Sequence, residues 1–321
     1  MDLDKHPDLD GHPDLDGHPD LDKHAGPGRF TDPDGRADFD EIAYGTRDGV
    51  AEIRLDRPQA RNPISARPGG TRDQILAALA DAEADPSVGA VLITGAGSAF
   101  SAGGDLAGNP IREHAADEAR FRETADDFHR RVRRCPLPVV AAVRGYCLGA
   151  AVVLAASCDL VVAGDDARFG MPEGRLGLPG AAGLVPLIGR QWAKFLILTG
   201  ELIDAGLAQR IGLVTAVVPA TELHPRAHDL AARLARMPRE ATTLNKRAVD
   251  AAADASGDEA ARVAASGYDV ITLAMSGRAQ APDGRTFAEI RREQGVHGLK
   301  AARAAQFTTP WMPATPPDAT M

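Results

Sequence analysis

Glu173 is a single acid in a loop of glycine and proline, Phe169-Gly-Met-Pro-Glu-Gly. Upstream of it an apolar run, Val139 to Val143, reaches two glycines, Gly145 and Gly149, and a second apolar stretch begins at Ala150. A strand that turns through glycine into a helix presents backbone N–H groups without partners, at the positive end of the helix dipole. Such an end suits an anionic oxygen, and one carboxylate opposite it can carry a proton. A second glycine-rich stretch, Gly95-Ala-Gly-Ser-Ala-Phe-Ser-Ala-Gly-Gly, competes as a phosphate cradle. It lacks both the Lys-Ser/Thr of a P-loop and the GxGxxG spacing, which argues against nucleotide binding of that kind.

The elements that must position these residues follow from hydrophobic period. Residues 50–55 alternate as a strand that Arg57-Pro58 stops, and 71–84 read as a helix with Ile75, Leu76, Leu79 and Ala82 to one side. Residues 89–94 (GAVLIT) and 139–143 are apolar enough for buried parallel strands. Between them 115–134 form a charged amphipathic helix that covers the site, and 150–156 an apolar helix followed by a strand at 160–163. Helices are expected at 192–198, 204–209, 221–236, 239–252, 258–275 and 287–307, with a strand at 213–218. Short strands and helices in this order fit a β/α spiral better than a doubly wound sheet.

Several stretches resemble one family. Residues 136–183, PLPVVAAVRGYCLGAAVVLAASCDLVVAGDDARFGMPEGRLGLPGAAG, are similar to the signature of the crotonase (enoyl-CoA hydratase/isomerase) family, which binds acyl-CoA thioesters and stabilises their enolates. Ser98-Ala-Phe-Ser-Ala-Gly-Gly-Asp-Leu106 resembles its first oxyanion-hole segment, and VAEIRLDRPQARNP at 50–63 its opening strand and turn. Leu198-Thr199-Gly200 with 205–219, and QGVHGLKAARAAQF at 294–307, resemble later segments, so the likeness runs over roughly residues 40–307. Each motif is weak alone; their order and spacing are specific.

The resemblance implies an α/β fold: a crotonase-like ββα spiral core at 37–235, then a C-terminal helical region at 236–307 that completes the acyl pocket and builds a trimer or hexamer. It places the oxyanion donors at the N–H groups of Ala102 and Ala150 and the proton carrier at Glu173. It implies CoA contacts at Arg61, Ala102, Asp105, Lys300 and Arg303, although a helix N-cap is the ordinary role for Asp105 and a solvated helix face that of Lys300 and Arg303. No cofactor beyond the CoA thioester substrate and no metal is implied. The departure is Val153, which stands where hydratases of the family carry a second glutamate. One carboxylate suffices for a double-bond shift, whereas adding water is best divided between two groups. A single-glutamate isomerase is therefore the leading expectation. Hydration, decarboxylation, C–C cleavage and a non-catalytic acyl-CoA-binding module are the alternatives.

Composition limits the remaining classes. The chain has 321 residues, 44% of them hydrophobic but only 4% aromatic, so its core must rest on Ala, Val, Leu and Ile. Its net charge is −9, and residues 1–40, with twelve Asp against four Lys and Arg, account for −8 of it. The globular part is thus nearly neutral, which disfavours nucleic acid. His-Pro-Asp-Leu-Asp recurs at His6, His12 and His18; with one Leu and one Pro per repeat, residues 1–36 are expected to be a disordered acidic tail, and 308–321 a second tail. Cys135, Cys147 and Cys158 show neither metal-ligand spacing nor a disulfide framework, and no run reaches membrane-spanning length. These features suggest a cytoplasmic protein without membrane or nucleic-acid partners.

Overall fold

The computed structural model describes residues 39–108, 115–180, 182–305 and 307–312; the histidine–aspartate repeat lies outside them. The chain opens with an antiparallel hairpin, β1 (Ile42–Arg47) and β2 (Val50–Leu55). Its two-residue turn, Asp48-Gly49, has φ of 55° and 77°, the left-handed pair that Asp-Gly favours between twisted strands. The strand at 42–47 is not apparent from hydrophobic alternation, because five of its six residues are only partly buried or exposed and β1 lies at the sheet edge. The Asp-Gly pair was the signal available for it.

After α1 (Thr71–Ala84), the strands β3 (Ala90–Gly95), β4 (Val139–Val143) and β6 (Leu160–Gly164) extend the sheet in parallel, with α2 (Ala115–Arg133) preceding β4 and α3 (Ala150–Ser157) preceding β6. The sheet closes on β9 (Ala216–Val218), giving the order β1-β2-β3-β4-β6-β9. Both faces are buried. Val91, Ile93, Val139, Ala141 and Val143 point into the larger core with α1, α2 and α3, while Ala90, Leu92, Val140 and Ala142 meet Leu223, Ala227 and Ala231 of α6 (Leu223–Ala235). That two-sided burial is why the strands read as continuous apolar runs.

A second sheet is formed by β5 (Tyr146–Leu148), β7 (Arg168–Gly170) and β8 (Leu202–Asp204). Each has only three residues, too few for a hydrophobic period to register, and their pairing is decided by tertiary contact. The helix α4 (Val185–Thr199) is longer than its apolar stretch because two helical pieces join at Gly189, φ 73°. Asp204 caps α5 (Ala205–Arg210) by accepting from the Leu207 N–H at 2.7 Å. Then come α6, α7 (Arg239–Ala255), α8 (Asp258–Met275) and α9 (Phe287–Ala304), the last entered through a Thr286–Glu289 capping box and bent at Gly295. The strand expected at 213–218 is shorter, because Leu213 and Val214 bond back to the Ala208 carbonyl before β9 starts. No described helix is long and apolar enough to cross a membrane.

Candidate active site

The two glycine-bearing stretches of the sequence are zipped together by backbone hydrogen bonds. Phe100 N–H donates to the Arg144 carbonyl at 2.8 Å, Ser101 N–H to Tyr146 at 3.0 Å, and Leu148 N–H to Ser101 at 3.1 Å. This register carries Gly103 and Gly104 past the start of α3. Gly103 has φ of +94°, and a Cβ added there would lie 2.6 Å from the Leu148 carbonyl oxygen and 3.6 Å from the Ala150 nitrogen. Only glycine lets the two backbones approach this closely.

Ala150 is the first residue of α3, so its N–H is among those that an α-helix leaves without an internal acceptor. Gly149 caps the helix with φ of +53°. On the other side of this approach the sequence expectation needs correcting. The Ala102 N–H is already bonded to the Arg61 carbonyl at 2.8 Å and does not face the site. Gly104 is the residue whose N–H remains. Its neighbours hold the bridge to Ile64, with Ile64 N–H donating to the Gly103 carbonyl at 2.8 Å and Asp105 N–H to the Ile64 carbonyl at 3.1 Å. In a parallel bridge of this kind the central N–H points the opposite way. The two candidate donors left by these bonds are the N–H groups of Gly104 and Ala150. The available N–H lies two residues beyond Ala102, because alternation of the backbone, not residue type, decides which N–H is bonded.

Asn62 holds the glycine loop in place. Its Nδ2 donates to the carbonyls of Ala96 at 2.8 Å, Ala99 at 2.9 Å and Phe100 at 3.3 Å, and its Oδ1 accepts from the Arg57 N–H at 3.0 Å. It is 2% exposed and takes φ of 51°, a conformation that asparagine tolerates. Asn62→Ala leaves these buried carbonyls unsatisfied and is expected to lower stability by about 3 kcal/mol, read as a lower urea midpoint at unchanged slope. Asp105 fastens the other end of the loop. One carboxylate oxygen accepts from the N–H groups of Ala107 and Gly108, and the other from Arg57 at 2.9 Å. Burial works to raise its pKa, but the Gly108 N–H and the Arg57 guanidinium hold it below the usual carboxylate range. Its cap therefore closes a turn at 105–108, and both oxygens are engaged within the protein.

Glu173 sits in a 3-10 turn, Pro172–Leu176, that ends at Gly177 in the left-handed region. Arg175 pins this turn: it donates to the Thr199 carbonyl and to Glu201, both at 2.9 Å, and its guanidinium lies 3.9 Å from the Phe307 ring centroid. The Glu173 carboxyl packs directly on Gly149, so closely that a Cβ on that glycine would overlap Oε1. The acid and the Ala150 N–H are thus one residue apart in space. Oε2 is buried and has no hydrogen-bond partner. Burial pushes the carboxyl pKa up to about 7, against the opposing pull of its own backbone N–H and of the Arg303 charge. A half-protonated acid near neutral pH, beside two free N–H donors, is equipped to take a proton from carbon and give it back.

The profile of the enoyl-CoA hydratase/isomerase family matches residues 45–276. The chain belongs to that family. It is 40% identical over 218 residues to a probable enoyl-CoA hydratase of Mycobacterium leprae, covering 66% of this chain and 82% of the relative. It is 38% identical over 200 residues to the 2,3-dehydroadipyl-CoA hydratase of Escherichia coli, covering 61% and 76%. Among solved structures, an enoyl-CoA hydratase/isomerase from Xanthobacter autotrophicus Py2 superposes with a TM-score of 0.75 at 32% identity, over 84% of this chain and 99% of that one. The crotonase-like α/β fold with its C-terminal helices is shared with such neighbours.

Within the crotonase frame the remaining expected residues are spread more widely. Val153 lies one turn into α3, half-buried, and with Ala156 and Leu184 forms the apolar wall of a cleft of about 350 Å³ whose other wall comes from α2 and α8. Arg61 places its guanidinium 5.5 Å from the Tyr146 ring centroid, beside the glycine loop. Lys300 and Arg303 are half-buried on α9, and the Arg303 charge is felt at Glu173, so the closing helix lies on the acid's side of the site. Among the described residues no His, Cys, Asp and Glu cluster is arranged to hold a metal ion. The three cysteines are free, and burial raises the pKa of each.

Proposed function

We propose that this crotonase-family enzyme shifts a double bond in an acyl-CoA thioester, with Glu173 as the only proton carrier. The carrying observation is the carboxyl of Glu173 against Gly149, next to the Ala150 N–H, with Val153 in place of a second acid. The thioester oxygen is held by the N–H groups of Gly104 and Ala150, which gain strength as negative charge develops on it in the enolate. The helix dipole of α3 adds to that stabilisation. Glu173 removes a proton from one carbon, and its acid form returns the proton two carbons along. CoA is the only carrier the reading requires, and Lys300 and Arg303 on α9 are the cations proposed to meet its phosphates.

Hydration is the second reading, favoured by relatives that are named hydratases, among them those of Mycobacterium leprae and Escherichia coli. Mass spectrometry separates the two readings. A 3-enoyl-CoA converted without change of mass, with deuterium entering the acyl chain in heavy water, is expected; rapid gain of one water by a 2-enoyl-CoA overturns the isomerase assignment. Since Glu173 must be ionised to act as base, kcat/KM should rise as pH climbs through about 7 and level off above it. A profile flat from pH 5 to 9 excludes Glu173 as that base.

The C-terminal helices carry exposed apolar side chains, including Leu244 and Val249 on α7 and Tyr268, Ile271 and Met275 on α8, each more than half exposed. These support the expected trimer or hexamer, in which such surface is covered. Sedimentation of a stable monomer at micromolar concentration contradicts it.

A further inference from the structure

Glu173 reaches the site from a turn, Pro172–Leu176, whose anchor lies two residues beyond the acid. Oε2 of the carboxyl is buried without a hydrogen-bond partner, so packing on Gly149 and the backbone of the turn set its direction. That backbone rests on the end of α4, where a Cβ on Gly174 would lie 2.5 Å from the Ile197 carbonyl oxygen. Arg175 fastens it there. Its Nε donates to the Thr199 carbonyl and a terminal nitrogen donates to Glu201 Oε1, both at 2.9 Å. The side chains of this ion pair are only 10% and 8% exposed. A pair so far out of water is held only while each charge keeps its partners, and water entering it weakens the attraction.

The segment that follows α9 covers this pair. The Phe307 ring lies over the Arg175 guanidinium at 3.9 Å, and the Trp311 N–H donates to Glu201 Oε2 at 3.2 Å. The Trp311 ring is 5.8 Å from that of Phe195 on α4, and Met312 packs against the same core. Residues 307–312 thus make one contact with the arginine and one with the acid. We infer that Arg175 is a positioning residue for Glu173, and that residues 307–312 are the cover that keeps water from the Arg175–Glu201 pair and so keeps the turn in place. The inference rests on the reading of Glu173 as the proton carrier, and it adds the part of the chain on which that carrier depends. With the cover in place, the carboxyl stays against Gly149. Without it, Arg175 is free to leave Thr199 and Glu201, and the turn carries the carboxyl toward water. The pair acts through geometry, because its two charges compensate each other; the cation felt at Glu173 is Arg303 of α9.

The test follows titration of the Glu173 carboxyl by infrared difference spectroscopy on the full chain, its band identified by its loss in Glu173→Gln. Wild type is compared with Phe307→Ala, Arg175→Met and Arg175→Lys. Phe307→Ala leaves both charges in place at the end of the described chain. It therefore tests the inference even where Arg175→Met, which strands the Glu201 charge, fails to fold. Burial holds the wild-type carboxyl at about 7, and exposure returns it toward the ordinary 4.5. Phe307→Ala and Arg175→Met should titrate at least about one pH unit below wild type, with kcat about tenfold lower and KM for the acyl-CoA within about twofold. Arg175→Lys keeps the charge but not the fork that holds Thr199 and Glu201 together, and should fall between. An ion pair that serves stability alone lowers Tm in these variants and leaves the Glu173 midpoint unmoved. A midpoint in Phe307→Ala at or above that of wild type therefore overturns the inference. The infrared measurement needs no substrate, so the two readings can fail separately. A lowered midpoint with undiminished kcat removes the proton-carrier reading and leaves the anchoring of the turn standing; an unmoved midpoint with turnover abolished in Glu173→Gln does the reverse.

Discussion

Glu173→Gln is expected to lower isomerisation of a 3-enoyl-CoA by about a hundredfold or more while making the protein more stable above neutral pH. The substitution keeps the volume of the side chain packed on Gly149 and removes the base. The two effects have one cause. Burial raises the carboxyl pKa to about 7, so the folded state holds this proton more tightly than the unfolded chain does. The stability due to the protonated acid is complete below the ordinary glutamate pKa of 4.5 and is lost as pH rises through about 7. A neutral amide removes that loss. The Tm of Glu173→Gln minus that of wild type should therefore be larger at pH 8 than at pH 5, where both side chains are largely uncharged. Loss of activity with a gain of Tm at pH 8 separates a missing proton carrier from a damaged fold. Undiminished exchange of deuterium into the acyl chain by the mutant would exclude Glu173 from the mechanism.

Ala150→Pro should lower kcat/KM by about a hundredfold to a thousandfold, the loss that follows removal of one oxyanion donor in other enzymes. Proline is tolerated at the first position of a helix, where its missing N–H had no internal acceptor to lose. Gly149 before it has the freedom to accommodate the ring. The substitution therefore deletes one N–H from the site and places the ring next to Gly103, with little expected change in unfolding temperature. Ala102 provides the control: its N–H is bonded to the Arg61 carbonyl, so replacing its side chain with serine should change rate far less. If Ala150→Pro retains full activity with an intact fold, the oxyanion is held elsewhere.

Much of this fold can be read from the chain. The boundaries of β2, α1, β4 and α8 agree with hydrophobic period and end signals, because each is long enough, or buried on enough sides, for its period to show. Glu173 stands out by residue type as the one acid in a glycine- and proline-rich loop, whereas Ala150 was singled out by the resemblance of residues 136–183 to the crotonase signature. The three-residue strands β5, β7 and β8 carry no such signal.

What the sequence by itself determined was the inventory: a parallel, alanine- and valine-rich sheet, glycine turns at Gly145 and Gly149, one acid in the following loop, and valine where a second acid would stand. Tertiary structure decided which backbone groups of that inventory are available. The Ala102 N–H is used by Arg61, whereas the bridge to Ile64 turns Gly104 toward the site, a distinction made by strand pairing across 40 residues and invisible in residue type. Tertiary structure also raised the pKa of Glu173 to about 7, because the fold buries its carboxyl against Gly149. Charged residues distant in sequence, among them Arg122, Asp126, Glu259 and Arg262, are gathered around one cleft by the packing of α2 against α8. Residue types are local properties of the chain, but hydrogen-bond availability and desolvation belong to the assembled fold.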